Sequence, residues 1–164
     1  MDLQAPLPDK ARVVDALRER LRAELEAVER VAAMGRDEAT SSESRAEGPY
    51  DTRATEASYL ARGQALRVAQ LRQQLAWFDV FDPRQPLAPR VVQVGALVGL
   101  DGPRRQLVFV APVGGGRATV DGREVQVISP SSPLGAAMGE LEDGDAFEVD
   151  SPRGVVEYEI IGII

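Results

Sequence analysis

Two long stretches of the chain place their apolar residues in steps of three and four. Such a narrow stripe is typical of a coiled-coil seam rather than of a broad core-facing helix face. The pattern therefore predicts two helices that pack on each other. In residues 8–34 the stripe consists of Val14, Leu17, Leu21, Leu25, Val28 and Ala32. In residues 53–79 it consists of Ala57, Ala61, Ala65, Val68, Leu71, Leu75 and Phe78.

The connection between the two helices is polar, and the apolar stripe does not continue through it. Asp9 is placed to cap the start of the first helix, and Gly35 is placed to end it. The Ser-rich segment 35–52, which is broken by Gly48 and Pro49, is therefore interpreted as the tip of a hairpin. Two helices of comparable length that are joined by one connection pack most simply as antiparallel neighbours.

From residue 91 onward, short apolar runs alternate with turn residues. Residues 79–90 contain three prolines, which end helices and stiffen connections. We therefore predict a helical hairpin in residues 1–82 and a small C-terminal domain in residues 83–164. Strands without long helices between them indicate an antiparallel sheet, accompanied here by one short helix in 133–141. The predicted fold class is α+β.

The composition narrows the chemistry that is open to this chain. It contains no Cys and no His, which excludes disulfides, thiolate nucleophiles, Cys/His zinc sites and a His general base. The net charge of −7 disfavours broad coating of nucleic acid. Carboxylates remain, and they suit Mg²⁺. Since the sequence shows neither a signal peptide nor an apolar run long enough for a bilayer, we expect a cytoplasmic protein without a membrane partner.

Several short motifs follow one another in the C-terminal part of the chain. They are Ile128-Ser129, Ser132-Pro133-Leu134-Gly135, Gly144-Asp145 and Glu157-Tyr158-Glu159-Ile160. In order and spacing they resemble the end of the GreA/GreB transcript cleavage factors. The run Glu56-Ala57-Ser58-Tyr59-Leu60-Ala61 resembles the opening of the second hairpin helix in that family.

The resemblance implies a fold, a partner and a cofactor. The C-terminal domain would be FKBP-like and would dock on RNA polymerase through Ser132, Pro133, Leu134 and Gly135. The hairpin would enter the secondary channel, where two tip carboxylates help to hold the Mg²⁺ with which the polymerase cleaves backtracked RNA. The chain itself would then not be an enzyme, and we expect a monomer with at most indirect contact to nascent RNA. The residues alone explain Ser132 and Pro133 equally well as the start of a short helix.

The resemblance is weakest over residues 35–52, where the Asp-x-x-Glu of the family is missing. By position, Asp51 and Glu56 are the candidates for the catalytic carboxylates that help to hold Mg²⁺, and Glu43 and Glu47 are further candidates. Asp51 and Glu56 are five residues apart and do not share a helix face. Glu43, Glu47 and Asp51 step by four and would share one if the segment were helical. The alternative is that this loop is acidic only because the whole chain is.

Other functions stay open beside cleavage stimulation. The altered tip allows a regulator or inhibitor that occupies the channel without stimulating cleavage. The FKBP-like resemblance allows a prolyl isomerase or chaperone, although the C-terminal domain offers only Phe109, Phe147 and Tyr158 as aromatic residues. The apolar seam could also pair between chains, which would make the hairpin an oligomerisation element.

Overall fold

The computed structural model describes residues 5–40 and 52–164, and for residues 38–40 it describes the backbone alone. Two long helices come first, α1 at Lys10–Thr40 and α2 at Arg53–Val80. The elements that follow are β1 at Leu97–Asp101, β2 at Gln106–Val110, β3 at Arg117–Val120, β4 at Arg123–Ile128, the short helix α3 at Pro133–Met138, β5 at Ala146–Ser151 and β6 at Gly154–Ile163. The predicted α+β class, with a helical hairpin ahead of a strand-rich domain, is confirmed.

Helix α1 begins where the sequence predicts and ends later. The backbone N–H of Arg12 donates to Asp9 Oδ1 at 2.9 Å, so Asp9 caps the helix as expected. The prediction that Gly35 ends the helix is wrong, because α1 continues through it to Thr40. A single glycine in a helix interior costs only about 1 kcal/mol relative to alanine, which is too little to stop a long helix.

Packing divides the chain into two compact units. The first, called the β unit, consists of Met1–Arg20 together with Val80–Ile164. The second, called the hairpin unit, consists of Leu21–Asp79. The first turns of α1 therefore pack with the sheet, although the same apolar stripe continues along the helix. The division into domains at residues 1–82 and 83–164 stays a prediction.

The two helices of the hairpin unit run antiparallel. Arg22 forms an ion pair with Asp79 at 2.8 Å, and Glu29, further along α1, pairs with Arg72 at 2.5 Å. A later residue of α1 thus pairs with an earlier residue of α2, as in an antiparallel pair, which confirms the predicted hairpin. Both pairs are exposed to solvent. Because exposed ion pairs contribute at most about 1 kcal/mol, they add little to the stability of the unit.

The predicted seam is correct on α1 and partly wrong on α2. Every residue of the α1 stripe is buried or half-buried. On α2, Ala61 and Ala65 are exposed, and the half-buried residue between them is Gln64. Alanine carries too little apolar surface to fix which face of a helix turns inward, so the polar glutamine takes the seam position.

Burial in the hairpin unit is concentrated where the chain enters and leaves it. Leu21 on α1 and Leu71, Gln74 and Phe78 on α2 are buried. Across the described part of residues 22–70, no residue is buried. This stretch therefore consists of two helices that touch along a half-buried seam and share no closed core.

The sheet of the β unit has six strands in the order β3-β4-β2-β1-β6-β5. The prediction of an antiparallel sheet is wrong at one pair, because β2 and β4 run parallel, with Leu107 opposite Val125 and Val110 opposite Ile128. The physical reason is the path after β2. The chain crosses to the far edge to form β3 and then turns back, so β4 enters beside β2 in the same direction.

The turn between β3 and β4 has the backbone that the sequence predicts. Asp121 and Gly122 have φ of 52° and 73°. Positive φ at both central residues is what a type I′ hairpin turn requires, and Asp-Gly is a preferred pair for it. This two-residue turn fixes the register in which Val120 lies opposite Arg123.

The core of the β unit lies on both faces of the central strands. On one face the buried residues are Val92, Ala96, Val98, Leu100, Val108, Val110, Ile128, Met138, Phe147, Ile160 and Ile163. Elsewhere on the sheet Leu7 lies over Gly99 and Gly162, where an added Cβ would come within 2.9 Å and 3.1 Å of its methyl groups. Phe81 packs edge-to-face on Phe109, with ring centroids 5.7 Å apart. In the described residues, no helix has the length and apolarity needed to cross a membrane.

Candidate functional site

The predicted docking segment forms the start of α3. Ser132 is the N-cap, because its Oγ accepts from the N–H of Gly135 at 3.0 Å. The same hydroxyl donates to the carbonyl oxygen of Ser129 at 2.8 Å. Pro133 occupies the first turn, where its missing N–H leaves no partner unsatisfied. The reading of Ser132 and Pro133 as a helix start is therefore confirmed, and a docking role stays a prediction.

The other two residues of this segment are held by their surroundings. Gly135 is buried, and a Cβ added there would lie 2.0 Å from the carbonyl oxygen of Ser129. Leu134 is half-buried and packs against the core of the β unit. Of the four predicted docking residues, Pro133 alone has an exposed side chain, and its neighbours Ser131 and Ala136 are exposed too. A partner at this place would therefore meet Pro133 first.

The end of α3 is tied to the segment before β1. The N–H of Glu140 donates to the carbonyl oxygen of Val92 at 2.9 Å, and the N–H of Val92 donates to that of Leu141 at 2.9 Å. Glu140 adopts a positive φ of 65°. The helix stops at Met138, three residues before the predicted end at Leu141, because these bonds hold the following residues in a non-helical conformation.

Of the predicted tip carboxylates, the structure describes Glu56 and not the other three. Asp51, Glu43 and Glu47 lie outside the described residues. Glu56 lies in the first turn of α2, of which it is the acidic residue, and its side chain is exposed. The hydroxyl of Thr52 donates to Glu56 Oε1 at 3.1 Å.

No complete metal site forms within the described part of the chain. There, no three Asp, Glu, His or Cys side chains come close enough together to hold an ion. Glu56 offers a single carboxylate, whereas Mg²⁺ takes six oxygen ligands, some of them water. The described residues therefore do not enclose Mg²⁺ on their own, and Glu56 can serve only in a site whose other ligands come from elsewhere.

An open apolar groove lies on the hairpin unit and was not predicted from the sequence. It has a volume of about 500 Å³ and is bordered by the ion pair between Glu24 and Arg67. Because Val31, Tyr59 and Leu60 lie off the seam, the period of the stripe gave no signal for it. The apolar side of the groove is lined by Ala27, Val28, Val31, Tyr59, Leu60 and Gly63.

A buried lysine was also missed. Lys10, the single lysine of the chain, is 8% exposed, and its Nζ donates to the carbonyl oxygen of Gly95 at 3.3 Å. Burial lowers the pKa of Lys10 from its ordinary value of 10.5. The bond joins the first turn of α1 to the segment before β1, within the β unit. Its place at the very start of an amphipathic helix gave no sign that this charge would be covered.

Comparison with known proteins gives one match to a family. Residues 113–164 match the family described as transcription elongation factor, GreA/GreB, C-terminal. This range contains the Ser132–Gly135 segment, the Gly144-Asp145 turn and the final strand β6. The resemblance seen in the sequence is thereby confirmed for this part of the chain. No curated protein matches the chain.

Several solved structures are similar to this chain at low identity. GreA factor homolog 1 of Thermus thermophilus is 21% identical, with a TM-score of 0.38, over 90% of this chain and 94% of that one. The Gfh1 protein of Thermus aquaticus is 19% identical, with a TM-score of 0.37, over 88% and 92%. The transcription elongation factor GreA/GreB of Nitrosomonas europaea is 22% identical, with a TM-score of 0.35, over 66% and 91%.

Proposed function

We propose that this chain binds RNA polymerase and inserts its helical hairpin into the secondary channel, because residues 113–164 match the GreA/GreB family of transcription elongation factors. There it stimulates the cleavage of backtracked RNA by the polymerase. The observation that carries the proposal is the family match over residues 113–164 on a chain that also forms a long antiparallel hairpin. The match lies within the β unit, so the role of the hairpin rests on its form and on the sequence resemblance near Glu56.

The two units take different roles in this proposal. The β unit docks on the polymerase, with Pro133 as the exposed member of the docking segment. The hairpin supplies reach: the part of α1 that lies in the hairpin unit, from Leu21 to Thr40, extends on the order of 30 Å at about 1.5 Å per residue. That length suits an element that enters a channel, because a two-helix rod is narrow for its length.

The chemistry in this proposal belongs to the polymerase, so the chain is not itself an enzyme. Mg²⁺ would supply charge neutralisation and an activated water at the scissile phosphate. The part of this chain would be to present Glu56, together with Asp51, as carboxylates near that ion. Since these carboxylates would not fill the coordination shell of Mg²⁺, the polymerase and water would supply the remaining ligands.

A second candidate is a regulator that occupies the channel without stimulating cleavage. The observation in its favour is that the tip lacks the Asp-x-x-Glu of the family. A hairpin that enters the channel without a matched pair of carboxylates would block access and leave the ion unassisted.

Several further properties belong to the proposal. We expect a bacterial, cytoplasmic protein that acts as a monomer, with an FKBP-like C-terminal domain and at most indirect contact with nascent RNA. Prolyl isomerase activity is the remaining alternative for that domain. A peptidyl-prolyl assay on the full chain tests it, and clear turnover would favour it.

The deciding experiment uses stalled, backtracked elongation complexes with labelled RNA and Mg²⁺. The purified chain is added, and the release of short 3′ products is followed. We expect cleavage faster than the intrinsic rate of the polymerase, with most of the gain lost in Glu56→Gln, which keeps the size of the side chain and removes its charge.

Two other outcomes separate the alternatives. Competition with a known cleavage factor without stimulation would establish the channel-occupying regulator. Absence of both stimulation and competition would contradict binding in the channel. The matched control is Glu26→Gln, an exposed carboxylate on α1 that lies far along the chain from the tip. It should leave the rate unchanged.

A further inference from the structure

The sheet of the β unit has two edges, formed by strands β3 and β5, and these edges differ in length and in cover. β3 has four residues, and the carbonyl oxygen of Arg117 on it accepts from the guanidinium of Arg20. β5 has six residues. Because free backbone groups along a sheet edge can pair with another chain, β5 is the edge that offers an added strand more to bind.

The pairing of β5 with β6 determines which backbone groups of β5 point away from the sheet. The N–H of Ile160 donates to the carbonyl oxygen of Asp145 at 2.9 Å, so these two residues form a hydrogen-bonded pair. Such pairs alternate with non-hydrogen-bonded ones along an antiparallel ladder. The N–H and carbonyl groups of Ala146, Glu148 and Asp150 therefore point outward. Among the described residues, no hydrogen bond reaches these outward groups.

The side chains of β5 alternate between the core and an acidic face. Phe147 is buried and Val149 is half-buried, and both pack in the core of the β unit. Glu148 and Asp150 lie on the opposite face and are exposed. A strand added to β5 would continue this alternation, because successive side chains of a strand point to opposite faces. It would therefore place every second side chain beside the core and the others beside carboxylates.

The acidic face continues onto β6. Glu148 lies directly opposite Glu157, and Glu159 follows on the same face. Like charges directly opposite each other on a sheet are destabilising. Within the part of the chain that the structure describes, neither these three carboxylates nor that of Asp150 forms an ion pair. Cationic side chains brought to this face would reduce the repulsion.

A second copy of this chain is a poor occupant of the β5 edge. If two β5 strands paired antiparallel through their outward groups, Glu148 of one copy would lie beside acidic side chains of the other. Charged residues on an edge strand oppose such self-pairing. The same charges attract a strand of opposite charge, so they select among partners.

We propose that the β5 edge is a docking site for an extended segment of a partner protein in which basic and apolar side chains alternate. The segment adds a seventh strand, antiparallel to β5, whose backbone bonds to the outward groups of Ala146, Glu148 and Asp150. Its basic side chains lie over the acidic face, and its apolar side chains lie beside the core. Main-chain bonds supply affinity in this kind of recognition, and alternate side chains supply specificity. This surface goes beyond the proposed function, because it involves neither the hairpin nor Pro133.

The first test uses the full chain and two short synthetic peptides. One peptide alternates lysine and valine, and in the other glutamate replaces lysine. Each is titrated into the isotope-labelled chain and followed by NMR. We expect the lysine peptide to bind at least about tenfold more tightly than the glutamate peptide. On binding, hydrogen exchange of the outward N–H groups of Ala146, Glu148 and Asp150 should slow. Exchange at Phe147 and Val149, whose N–H groups already face β6, should change little.

Methylated peptides separate a true added strand from simple attraction of charge. In an antiparallel pair the residues opposite Glu148 and Asp150 share their face, so they are the lysines, and the lysine N–H groups point at β5. Methylating the lysine backbone nitrogens should therefore abolish binding. Methylating the valine nitrogens, which point away from β5, should leave it unchanged. Binding that survives methylation of the lysine nitrogens would overturn the proposal.

A substitution in the chain tests the charge of the acidic face. Glu148→Gln keeps the backbone and relieves the repulsion with Glu157, so the fold should not suffer. We expect it to weaken binding of the lysine peptide about threefold. The matched control is Glu19→Gln, an exposed carboxylate on α1 within the β unit, which should bind as the unaltered chain does.

Three further outcomes would overturn the proposal. Equal binding of the lysine and glutamate peptides would contradict the role of the acidic face. Exchange that stays unchanged at Ala146, Glu148 and Asp150 would place the peptide elsewhere. Slowed exchange at these residues in the chain alone, growing with its concentration, would make a second copy the occupant. Since none of these measurements includes RNA polymerase, their results are independent of the proposed function.

Discussion

The two compact units of this chain bury their apolar residues to very different degrees. In the β unit, Val98, Val108 and Ile160 are fully buried. In the hairpin unit, Val31, Tyr59, Leu60 and Leu66 are between 53% and 67% exposed, and no described residue of 22–70 is buried.

This difference in burial means that the two units are stabilised by different interactions. The β unit is stabilised by its own core, so its strands should open only on global unfolding. The far part of the hairpin is held by helix backbone bonds, a half-buried seam and exposed ion pairs, so it should open locally at a lower free energy. Such an element suits the proposed role, because a hairpin that enters a channel gains its last contacts from the partner.

The largest expected effect is on the β unit. In Gly135→Ala, the new Cβ would meet the carbonyl oxygen of Ser129 at 2.0 Å, so backbone must move. We expect the free energy of unfolding of this unit to fall by roughly 3 kcal/mol, as for a severe overpacking change. Amide hydrogen exchange of β1 and β6 measures it.

Its control is Gly139→Ala, four residues further on. The nearest contact of that Cβ would be at 3.4 Å, and Gly139 has an ordinary negative φ of −56°. Exchange in β1 and β6 should stay close to that of the unaltered chain. A similar loss in both variants would mean that α3 tolerates no side chain at either place, which contradicts the close approach as the cause.

The next prediction concerns the same substitution, leucine to alanine, at the two ends of the hairpin. Leu71 is fully buried, and Leu60 is 65% exposed. Leu71→Ala should destabilise the hairpin unit by about 3 kcal/mol through the lost transfer energy and the cavity, and Leu60→Ala by under about 1 kcal/mol. Urea unfolding followed by the fluorescence of Trp77, the single tryptophan, reports on this unit because Trp77 lies on α2 and contacts Phe78. Equal losses would show that the far part of the hairpin is as well packed as the other end.

The sequence predicted the helices and strands better than it predicted which of them pack or pair with each other. A period of three and four placed both helices and the stripe on α1, because leucine and valine carry enough apolar surface to fix a face. It could not tell that Val14 and Leu17 pack in the β unit while Leu25 packs in the hairpin, since one stripe looks the same against either partner. The parallel pairing of β2 and β4 was missed for a similar reason, because strand order depends on contacts that are distant in sequence.

The candidate site was predicted in part. Ser132 and Pro133 were correctly assigned to the start of a helix, since the N-cap and the following proline are local signals. The burial of Gly135 is not a local property, because it depends on the loop that carries Ser129. Glu56 was placed correctly at the start of α2, whereas the contact from Thr52 was not foreseen, because sequence spacing does not show which way a capping hydroxyl turns.

A smaller effect of opposite sign is expected in the hairpin. Gly63 lies within α2, and a Cβ added there would meet no atom within 4 Å. Gly63→Ala should therefore stabilise the helix by about 1 kcal/mol, since glycine loses more backbone entropy than alanine on helix formation. Slower hydrogen exchange of the neighbouring α2 amides would show it. Unchanged exchange would mean that backbone entropy is not what limits this part of the hairpin, and that its weak packing is.

The smallest expected effect is a dependence of stability on pH in the β unit, through Lys10. Burial lowers the pKa of Lys10 below 10.5 in the folded chain, so between the two values the unfolded chain binds more protons. The contribution of Lys10 to stability should therefore rise as pH rises through that window. Lys10→Met removes the titrating group. The free energy of unfolding of the unaltered chain minus that of this variant should therefore increase as the pH rises towards 10.5. Because the bond from Lys10 to Gly95 lies within the β unit, the change should be seen in the hydrogen exchange of β1 and not in the fluorescence of Trp77, which lies in the hairpin unit. A difference that stays flat with pH would mean that the ammonium group keeps its water, and that the start of α1 is less firmly part of the β unit than the packing indicates.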